Sequence, residues 1–489
     1  MFKDLREYIE FLKLKDDLVV IDELVDQDLE ITEITDRVVK TGGPALFFSN
    51  VKNNDVPLAI NIFGSQKRMC WALGVNDLDE LGDKVDKILG MVSKPPTNIF
   101  DKVSALTKIA SVAKSQPKII SPKNRKAPCQ EVVFLGESVD LNMFPAMKCW
   151  PDDAGRFITL PLVMTKDPKT GIRNVGTYRM QIFDKNTTGM HWQTHKVAAQ
   201  HYQDSGQIGN EKLEAAVVIG ADPVTTWSGS LPVPPSIDEF MVAGFLRGKP
   251  VELVKCKTID IEVPANSEIV LEGYLNLGEL RKEGPFGDHT GYYSEEDEYP
   301  VFHVTAITHR KDPIYLSTMV GIPPTEDYFM GLASTRLMLP ALRMVLPEIV
   351  DISMPAEGIF HNLLIISIKK SYLGHAQKVM NAIWGLGLLM LTKTIVVVDH
   401  DVDLKDYSQV AWRVLSNLDP EKDILISQGP LDDLDHASNT PRYGSKIGID
   451  ATAKSKIDGR SRPWPSDILM SKSIKDLVDS KWSKYNISN

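Results

Sequence analysis

Two acidic side chains in a glycine-rich segment are the first feature of the sequence that could carry chemistry. The segment EGPFGDHTGYY (residues 283–293) sets Glu283 and Asp288 five residues apart. Its glycines and proline favour a shaped loop, because glycine adopts backbone angles that other residues resist and proline fixes one torsion. Two carboxylates in one pocket do not both ionise easily, so one of them would keep a proton near neutral pH and act as a general acid. A tight turn with two solvated acids is the alternative that this pair alone leaves open.

A second polar cluster combines the segments RNVGTYR (173–179) and HWQTHK (191–196). Imidazole and amide groups on neighbouring strands can share a divalent ion, and arginine and lysine suit a phosphate. Glu239, on a helix predicted over 238–246, can add an anionic ligand. Such a set of amide, imidazole and carboxylate suits Mn²⁺ or Mg²⁺ better than structural zinc. Each histidine taken singly is more often structural, and the spacing of His191 and His195 lacks the glutamate of a zincin motif.

Short apolar runs separated by turn residues surround both clusters, which places the clusters in a β-rich central segment. The runs cover residues 132–134, 160–164, 177–183, 216–219, 251–254, 268–274 and 301–309. Their spacing predicts an antiparallel barrel or sandwich, with a helix inserted over 241–246.

Helix and strand patterns alternate on both sides of this segment, which predicts two α/β units. Before it, helices are predicted over 2–12, 29–40 and 77–91, strands over 18–21, 45–48 and 58–62, and a proline- and lysine-rich linker near 115–129. After it, the sequence predicts a helix over 328–345, buried parallel strands over 363–368 and 394–399, an aperiodic loop over 429–465 and an amphipathic helix over 474–485 that docks on another subunit.

Composition excludes several classes of protein. The 489 residues carry 55 Lys and Arg against 65 Asp and Glu, and this net charge of −10 argues against a nucleic-acid-binding protein. Four scattered cysteines without a CxxC pair argue against a zinc ribbon or a disulfide scaffold and favour a reducing cytoplasm. The charged N-terminal segment has no apolar core of a secretion signal. At about 150 residues per domain, about three domains are expected, each large enough to bury its own core.

Eight long strings in one order resemble the UbiD family of decarboxylases, whose namesake is 4-hydroxy-3-polyprenylbenzoate decarboxylase. The strings are GGPALFF (42–48), APCQEVV (127–133), RNVGTYRMQ (173–181), VIGADP (218–223), PANSEIVLEGY (264–274), EGPFGDHTGYY (283–293), GHAQKVM (374–380) and GSKIGIDAT (444–452). The resemblance implies an N-terminal α/β domain (1–115), a linker (116–129), a split β-barrel cofactor domain related to flavin reductases (130–320), a C-terminal α/β domain (321–470) and a C-terminal helix for oligomer contact (471–489).

The resemblance also implies a cofactor. Loss of CO₂ from an unsaturated carbon leaves a carbanion without an electron sink, and side chains do not supply one. Members of the family use prenylated FMN, whose phosphate is bridged to the protein by Mn²⁺ and often K⁺. The metal ligands implied here are Asn174, His195 and Glu239. The further cofactor contacts implied are Thr177, Tyr178, Arg179, His191, Trp192, Gln193, Lys196 and Val197.

The implied reaction is non-oxidative decarboxylation of an aromatic acid in ubiquinone or menaquinone biosynthesis. Arg179 would hold the substrate carboxylate, Asp288 would donate the proton that replaces CO₂, and Glu283 would tune Arg179 and the flavin. The implied partners are a flavin prenyltransferase and further copies of the chain in a dimer or hexamer, in the cytoplasm and peripheral to the membrane if the substrate is prenylated.

Departures from the ubiquinone-pathway members leave the substrate open. They fall in HWQTHKV (191–197), in STMVGIPPTEDYFMG (317–331) and in the tail after 444. A polyprenyl-4-hydroxybenzoate, a carboxylated naphthoquinol, and another phenolic, heteroaromatic or α,β-unsaturated acid are all compatible with the sequence. A non-catalytic flavin-binding protein and an ordinary flavin oxidoreductase are the alternatives from other functional classes.

Overall fold

The structure, a computed structural model, describes residues 1–93, 114–121, 126–485 and 487. Its N-terminal part alternates helix and strand as the periodicity predicts, and α1 begins where the Asp4 carboxylate accepts the N–H of Glu7. The elements are α1 (Leu5–Leu14), β1 (Leu18–Ile21), α2 (Glu30–Lys40), β2 (Ala45–Phe48), β3 (Leu58–Ile60), α3 (Gln66–Leu73) and α4 (Asp79–Ser93). The first three strands form one sheet with Tyr315–Leu316, a strand of the central part that pairs with β3. In this sheet β1 and β2 are parallel, and β2 and β3 are antiparallel.

The central part is mainly β-structure, as the short apolar runs predict. Its elements are β4 (Lys118–Ile119), β5 (Val132–Leu135), β6 (Phe157–Ile158), β7 (Leu162–Lys166), β8 (Arg173–Thr177), β9 (Met180–Gln181), β10 (Thr187–Gly189), α5 (Val197–Gln207), β11 (Lys212–Ile219), α6 (Pro223–Ser228), α7 (Glu239–Arg247), β12 (Glu252–Lys255), β13 (Glu262–Pro264), β14 (Ile269–Glu283), β15 (Asp297–His309) and β16 (Tyr315–Leu316). The helix predicted over 241–246 is therefore confirmed as α7. Part of the predicted linker is instead a strand, because β4 pairs with β12.

One antiparallel sheet of seven strands dominates this part. Its order is β10-β15-β14-β11-β7-β8, and β5 pairs with β15. Strands β8 and β14 end beside the two polar clusters that the sequence singles out. Across the described residues this sheet does not close into a barrel. The mixed α/β class is confirmed, and the split-barrel description stays a prediction.

The C-terminal part is a second α/β unit. Its elements are α8 (Glu326–Val345), β17 (Ile349–Ser353), β18 (Leu363–Ile368), α9 (His375–Trp384), β19 (Thr394–Asp399), α10 (Tyr407–Asn417), β20 (Ile424–Pro430), β21 (Tyr443–Asp450) and α11 (Lys472–Lys481). The sheet order is β17-β18-β19-β21-β20, and β18 and β19 are parallel, as predicted.

The loop predicted over 429–465 is wrong in part, because it contains strand β21. Glycines interrupt the apolar pattern by which this strand could be predicted from the sequence. A Cβ atom on Gly448 would lie 2.4 Å from the Met380 sulfur, so close packing against α9 requires glycine where a strand pattern would show an apolar side chain.

Buried apolar side chains form one core in the N-terminal and central parts and two cores at the C-terminal sheet. Although each domain is large enough to bury a core of its own, the N-terminal and central parts share one continuous core. Arg310 adds a buried ionic link between them, because its guanidinium binds Asp4 at 3.0 Å and Glu268 at 3.1 Å. The C-terminal sheet has two separate cores, since Leu364 and Ile365 point to opposite faces. Over the described ranges, no helix has the length and apolarity needed to cross a membrane.

Candidate active site

Arg179 joins both acids of the predicted pair. It lies between β8 and β9, while Glu283 ends β14 and Asp288 lies in the loop after it. The Nε atom of Arg179 donates to Glu283 Oε1 at 2.9 Å, and its Nη1 donates to Asp288 Oδ2. Its Nη2 donates to Ser294 Oγ at 3.1 Å. Glu283 is 0% exposed and Asp288 7% exposed, so the segment is a buried acid site and not a solvated turn.

The guanidinium and the neighbouring histidines together decide the ionisation of both acids. Burial by itself raises the pKa of Glu283, but hydrogen bonding to His191 and the charge of Arg179 outweigh it and lower the pKa below the usual value. Burial likewise raises the pKa of Asp288, and the charge of Arg179 with the hydrogen bonds of His289 reverses this and holds the pKa far below the usual range. The expectation that one acid keeps a proton near neutral pH is therefore wrong for the protein alone. The cation between the two carboxylates removes their mutual repulsion.

Each acid of the pair is hydrogen-bonded to a histidine. His191 Nδ1 lies 2.6 Å from Glu283 Oε2, and His289 Nδ1 lies 2.8 Å from Asp288 Oδ1. Burial and the nearby charge of Arg179 lower the pKa of His191, so its ring is neutral at pH 7. The neutral ring donates from Nδ1 to the carboxylate, which leaves Nε2 as an acceptor.

The loop that carries Asp288 is held by Asp153, which sequence reasoning missed. Asp153 Oδ1 accepts the N–H of Gly287 at 2.7 Å, and its Oδ2 accepts the N–H groups of Cys149 at 3.0 Å and Trp150 at 2.9 Å. Gly287 is required here because a Cβ atom would lie 2.2 Å from Cδ1 of the Trp150 ring. No local motif could reveal this contact, since Asp153 lies more than a hundred residues before the loop.

Asn174 near the start of β8, Tyr178 directly after β8 and Glu239 at the start of α7 form a neighbouring cluster. Glu239 Oε2 accepts the N–H of Val175 at 3.0 Å. Burial raises the pKa of Glu239 to about 7 and that of Tyr178 to about 12, while a hydrogen bond with Asn174 lowers the latter. Burial disfavours the ionised form of this carboxylate, and a cation bound nearby would stabilise that form. The structure thus brings together two of the three predicted metal ligands.

The remaining predicted contacts lie in the segment before and at the start of α5. Gln193, Lys196 and Val197 are partly exposed, and His195 is exposed. The described residues contain no group of three His, Cys, Asp or Glu side chains arranged to hold a metal ion. The predicted set has only two ligands of those types, because Asn174 is an amide. The metal site therefore stays a prediction.

Several buried polar atoms around Arg179 have no protein partner. They are Asn174 Nδ2, Thr177 Oγ1, His191 Nε2 and Trp192 Nε1. A buried polar atom without a hydrogen bond is costly, and such atoms are rare in folded proteins. All four belong to residues predicted to contact the cofactor, so their donors and acceptors fit a polar ligand bound beside Arg179.

Sequence comparison assigns the chain to a family. Three family models match consecutive parts of the chain: the N-terminal domain of 3-octaprenyl-4-hydroxybenzoate carboxy-lyase over residues 9–85, its Rift-related domain over 121–323 and its C-terminal domain over 328–451. The chain belongs to the UbiD family. This UbiD-family protein is accordingly a carboxy-lyase, and its Arg179, Glu283 and Asp288 lie within the matched Rift-related domain.

Relatives of full length agree with this assignment. An uncharacterized protein of Archaeoglobus fulgidus is 49% identical over 484 residues, which cover 99% of this chain and 98% of the relative. Vanillic acid decarboxylase of Sedimentibacter hydroxybenzoicus, in closed form, has a TM-score of 0.85 at 27% identity and full coverage of both chains. The UbiD-class enzyme HmfF of Pelotomaculum thermopropionicum, an evolved dimeric form in complex with prFMN, has a TM-score of 0.77 at 27% identity, covering 97% of this chain and 98% of that one.

Proposed function

We propose that this chain is a non-oxidative decarboxylase of an aromatic carboxylic acid that uses prenylated FMN. The observation that carries the proposal is the buried guanidinium of Arg179 between two carboxylates, beside four buried polar atoms without a partner. Two structurally similar proteins support it, because one is a vanillic acid decarboxylase and the other is in complex with prFMN. The split barrel and the domain limits expected from the sequence belong to the same proposal.

Arg179 binds the substrate carboxylate and Asp288 supplies the proton that replaces CO₂. Both acids are ionised without substrate, since His191 and Arg179 lower the pKa of Glu283, and Arg179 and His289 lower that of Asp288. A substrate carboxylate at the guanidinium adds a negative charge next to Asp288, and such a charge raises the pKa of a neighbouring acid. Asp288 then takes up a proton that it can give to the reacting carbon.

Glu283 has a supporting role. It accepts hydrogen bonds from Arg179 and His191 at the same time, so it fixes the orientation of the guanidinium and the tautomer of His191. This leaves the unpartnered Nε2 atom of His191 as an acceptor for a bound group.

The residues expected to hold the cofactor fit a flavin phosphate with a divalent cation. When bound, prenylated FMN supplies the electron sink that side chains lack. Asn174 and Glu239 offer an amide and a buried carboxylate side by side, which is a donor set that Mn²⁺ accepts, and His195 would complete it, with K⁺ as a possible second ion. Thr177, Tyr178, Trp192, Gln193, Lys196 and Val197 would contact the cofactor itself.

The substrate class we propose is a quinone precursor in ubiquinone or menaquinone biosynthesis, a polyprenyl-4-hydroxybenzoate or a carboxylated naphthoquinol. A cytoplasmic enzyme that acts on a prenylated acid would work at the membrane surface. Another phenolic, heteroaromatic or α,β-unsaturated acid is the alternative within the same chemistry, and vanillic acid decarboxylase is a structurally similar enzyme with a phenolic substrate.

We also propose that the chain forms a homo-oligomer through its C-terminal arm, residues 468–487. The arm exposes apolar side chains, among them Ile468 at 103%, Leu469 at 76% and Leu477 at 45% exposure. Many exposed apolar side chains within one short segment are typical of an interaction site, and a second copy of the chain is the partner that we expect.

The test is to produce the chain with a flavin prenyltransferase, its proposed partner in cofactor supply, and to measure CO₂ release from a panel of aromatic acids. The proposal expects a flavin spectrum in the purified protein, CO₂ release and one deuterium in the product made in D₂O. Asp288→Asn should remove both CO₂ release and deuterium incorporation. Asp152→Asn is the matched control, because Asp152 is an exposed acid near the same loop.

Two other outcomes would contradict the proposal. A bound flavin without CO₂ release from any acid would favour a non-catalytic flavin-binding protein. Oxidation of a reduced nicotinamide by the flavin, without CO₂ release, would favour an ordinary oxidoreductase.

A further inference from the structure

Two histidine rings from different parts of the fold meet next to Asp288. His289 Nδ1 lies 2.8 Å from Asp288 Oδ1, and its Nε2 lies 2.8 Å from Nε2 of His361. His361 belongs to the C-terminal unit, in the turn before β18. Because the Asp288 carboxylate only accepts, His289 Nδ1 carries a hydrogen, and the ring-to-ring contact needs a hydrogen on one of the two Nε2 atoms. The three side chains therefore form one continuous hydrogen-bonded chain.

The proposed reaction makes such a chain useful because each turnover consumes one proton. The carbon–carbon bond to the carboxylate breaks, CO₂ leaves, and the electron pair left on carbon forms a C–H bond with a proton from Asp288. Asp288 must then regain a proton before the next turnover, although it is only 7% exposed.

Among the hydrogen-bond partners of the Asp288 carboxylate in the described part of the chain, only His289 can return this proton. The carboxylate accepts from Arg179, from the His289 N–H at 2.7 Å and from His289 Nδ1. A guanidinium does not deprotonate in proteins, and a backbone amide is no proton source. An imidazole, by contrast, gains and loses a proton near neutral pH.

We propose that His289 and His361 form a proton relay that recharges Asp288 after each turnover, an inference that rests on the proposed decarboxylation. His361 takes up a proton from water at Nδ1 and passes the hydrogen on its Nε2 to His289 Nε2. His289 in turn passes the hydrogen on its Nδ1 to the Asp288 carboxylate. Proton exchange with water then restores the starting tautomers of the two rings.

The surroundings of the two rings agree with this role. Asp288, Asp327 and Asp432 act on His289 and raise its pKa in spite of burial. Burial, the charge of His289 and that of Lys196 lower the pKa of His361 to about 4, although Asp432 and Asp288 oppose this. An added proton is therefore favoured on His289 and disfavoured on His361. The His361 residue is partly exposed, and its buried Nδ1 atom has no protein partner among the described residues, so a water molecule can bond to it there.

The first test uses the cofactor-free protein and no activity. With ¹⁵N-labelled histidine, NMR titration should show the wild-type rings of His289 and His361 titrating as a coupled pair with two steps. His361→Asn should leave one simple step for His289, and His400→Asn should change nothing, since His400 is an exposed histidine of the same unit. A His289 titration that is the same in His361→Asn and in the wild type would overturn the relay.

The second test measures turnover of the holoenzyme. His361→Asn should lower kcat about 100-fold, the lower end of the usual contribution of a proton-transferring group, with KM within about twofold of the wild-type value. Added imidazole should restore part of kcat in His361→Gly, which a purely structural role would not allow. Equal kcat and pH profiles in His361→Asn and the wild type would refute the relay. Absence of CO₂ release in the wild type would instead refute the proposed function, and the NMR titration would still decide whether the rings share a proton.

Discussion

Replacing Arg179 with methionine should make stability decrease as the pH rises above about 4, where the two acids of the wild type contribute a constant stabilisation. The guanidinium binds two buried carboxylates, and methionine keeps much of its length without its charge. Removal of one partner from a buried ion pair costs about 3–5 kcal/mol, because the remaining charge stays buried without compensation. We therefore expect Arg179→Met to lower the free energy of unfolding by about 3–5 kcal/mol at pH 8, where both acids are ionised. At lower pH one acid takes up a proton and the loss is smaller.

The sign of the pH effect follows from the two acids. In the wild type the pKa of Glu283 and of Asp288 is lowered, so their stabilising contribution is full above about pH 4 and is lost only as the pH falls through the folded-state pKa. Without Arg179, burial and mutual repulsion raise the pKa of at least one acid. The stability of the variant should then decrease as the pH rises from about 4 towards that raised pKa, by up to about 1.4 kcal/mol per pH unit for one proton.

Urea unfolding of the cofactor-free protein at pH 5.5, 7 and 8 measures this effect. Arg281→Met is the matched control, because Arg281 is an exposed arginine on the same strand as Glu283 whose guanidinium lies 4.1 Å from the Phe183 ring. The control should lose little and show the wild-type pH dependence. A loss in Arg179→Met that is below about 1 kcal/mol and equal at all three pH values would refute the ionic account of this site.

Three further predictions concern the supports of the site and its assembly. Asp153→Asn should lower the free energy of unfolding by about 2–3 kcal/mol, because one backbone N–H that the carboxylate accepts would then face the amide NH₂ group. Urea unfolding measures this loss, and an unchanged urea midpoint would contradict the prediction. Gly287→Ala should lower kcat and cost about 1–3 kcal/mol, since its Cβ atom would clash with Trp150, whereas Gly155→Ala, with its nearest neighbour at 3.8 Å, should behave as wild type in the same assays. Deleting residues 468–489 should convert the oligomer to a monomer in analytical ultracentrifugation, and a monomeric full-length chain would disprove the proposed arm contact.

The local patterns of the sequence were sufficient for most elements of the fold. Periodic apolar residues predicted α8 and the parallel pair β18 and β19, since these elements bury side chains at regular spacing. Strand β21 was not predicted, because glycines occupy positions where packing leaves no room for a side chain. The shared core of the N-terminal and central parts was not predicted either, because composition does not show which surfaces pack against each other.

The sequence by itself determined the types of groups in the site and the family to which they belong. Glu283, Asp288 and Arg179 were all found from motif strings, because their neighbours in the chain form the loop and strands that carry them. Only the tertiary structure decided how these groups ionise. A pKa depends on charges within a few ångströms, and Arg179 and His191 reach the two acids from separate parts of the central segment. The contact of His361 with His289 depends likewise on the packing of the C-terminal unit against the acid loop, a distance that no spacing along the chain expresses.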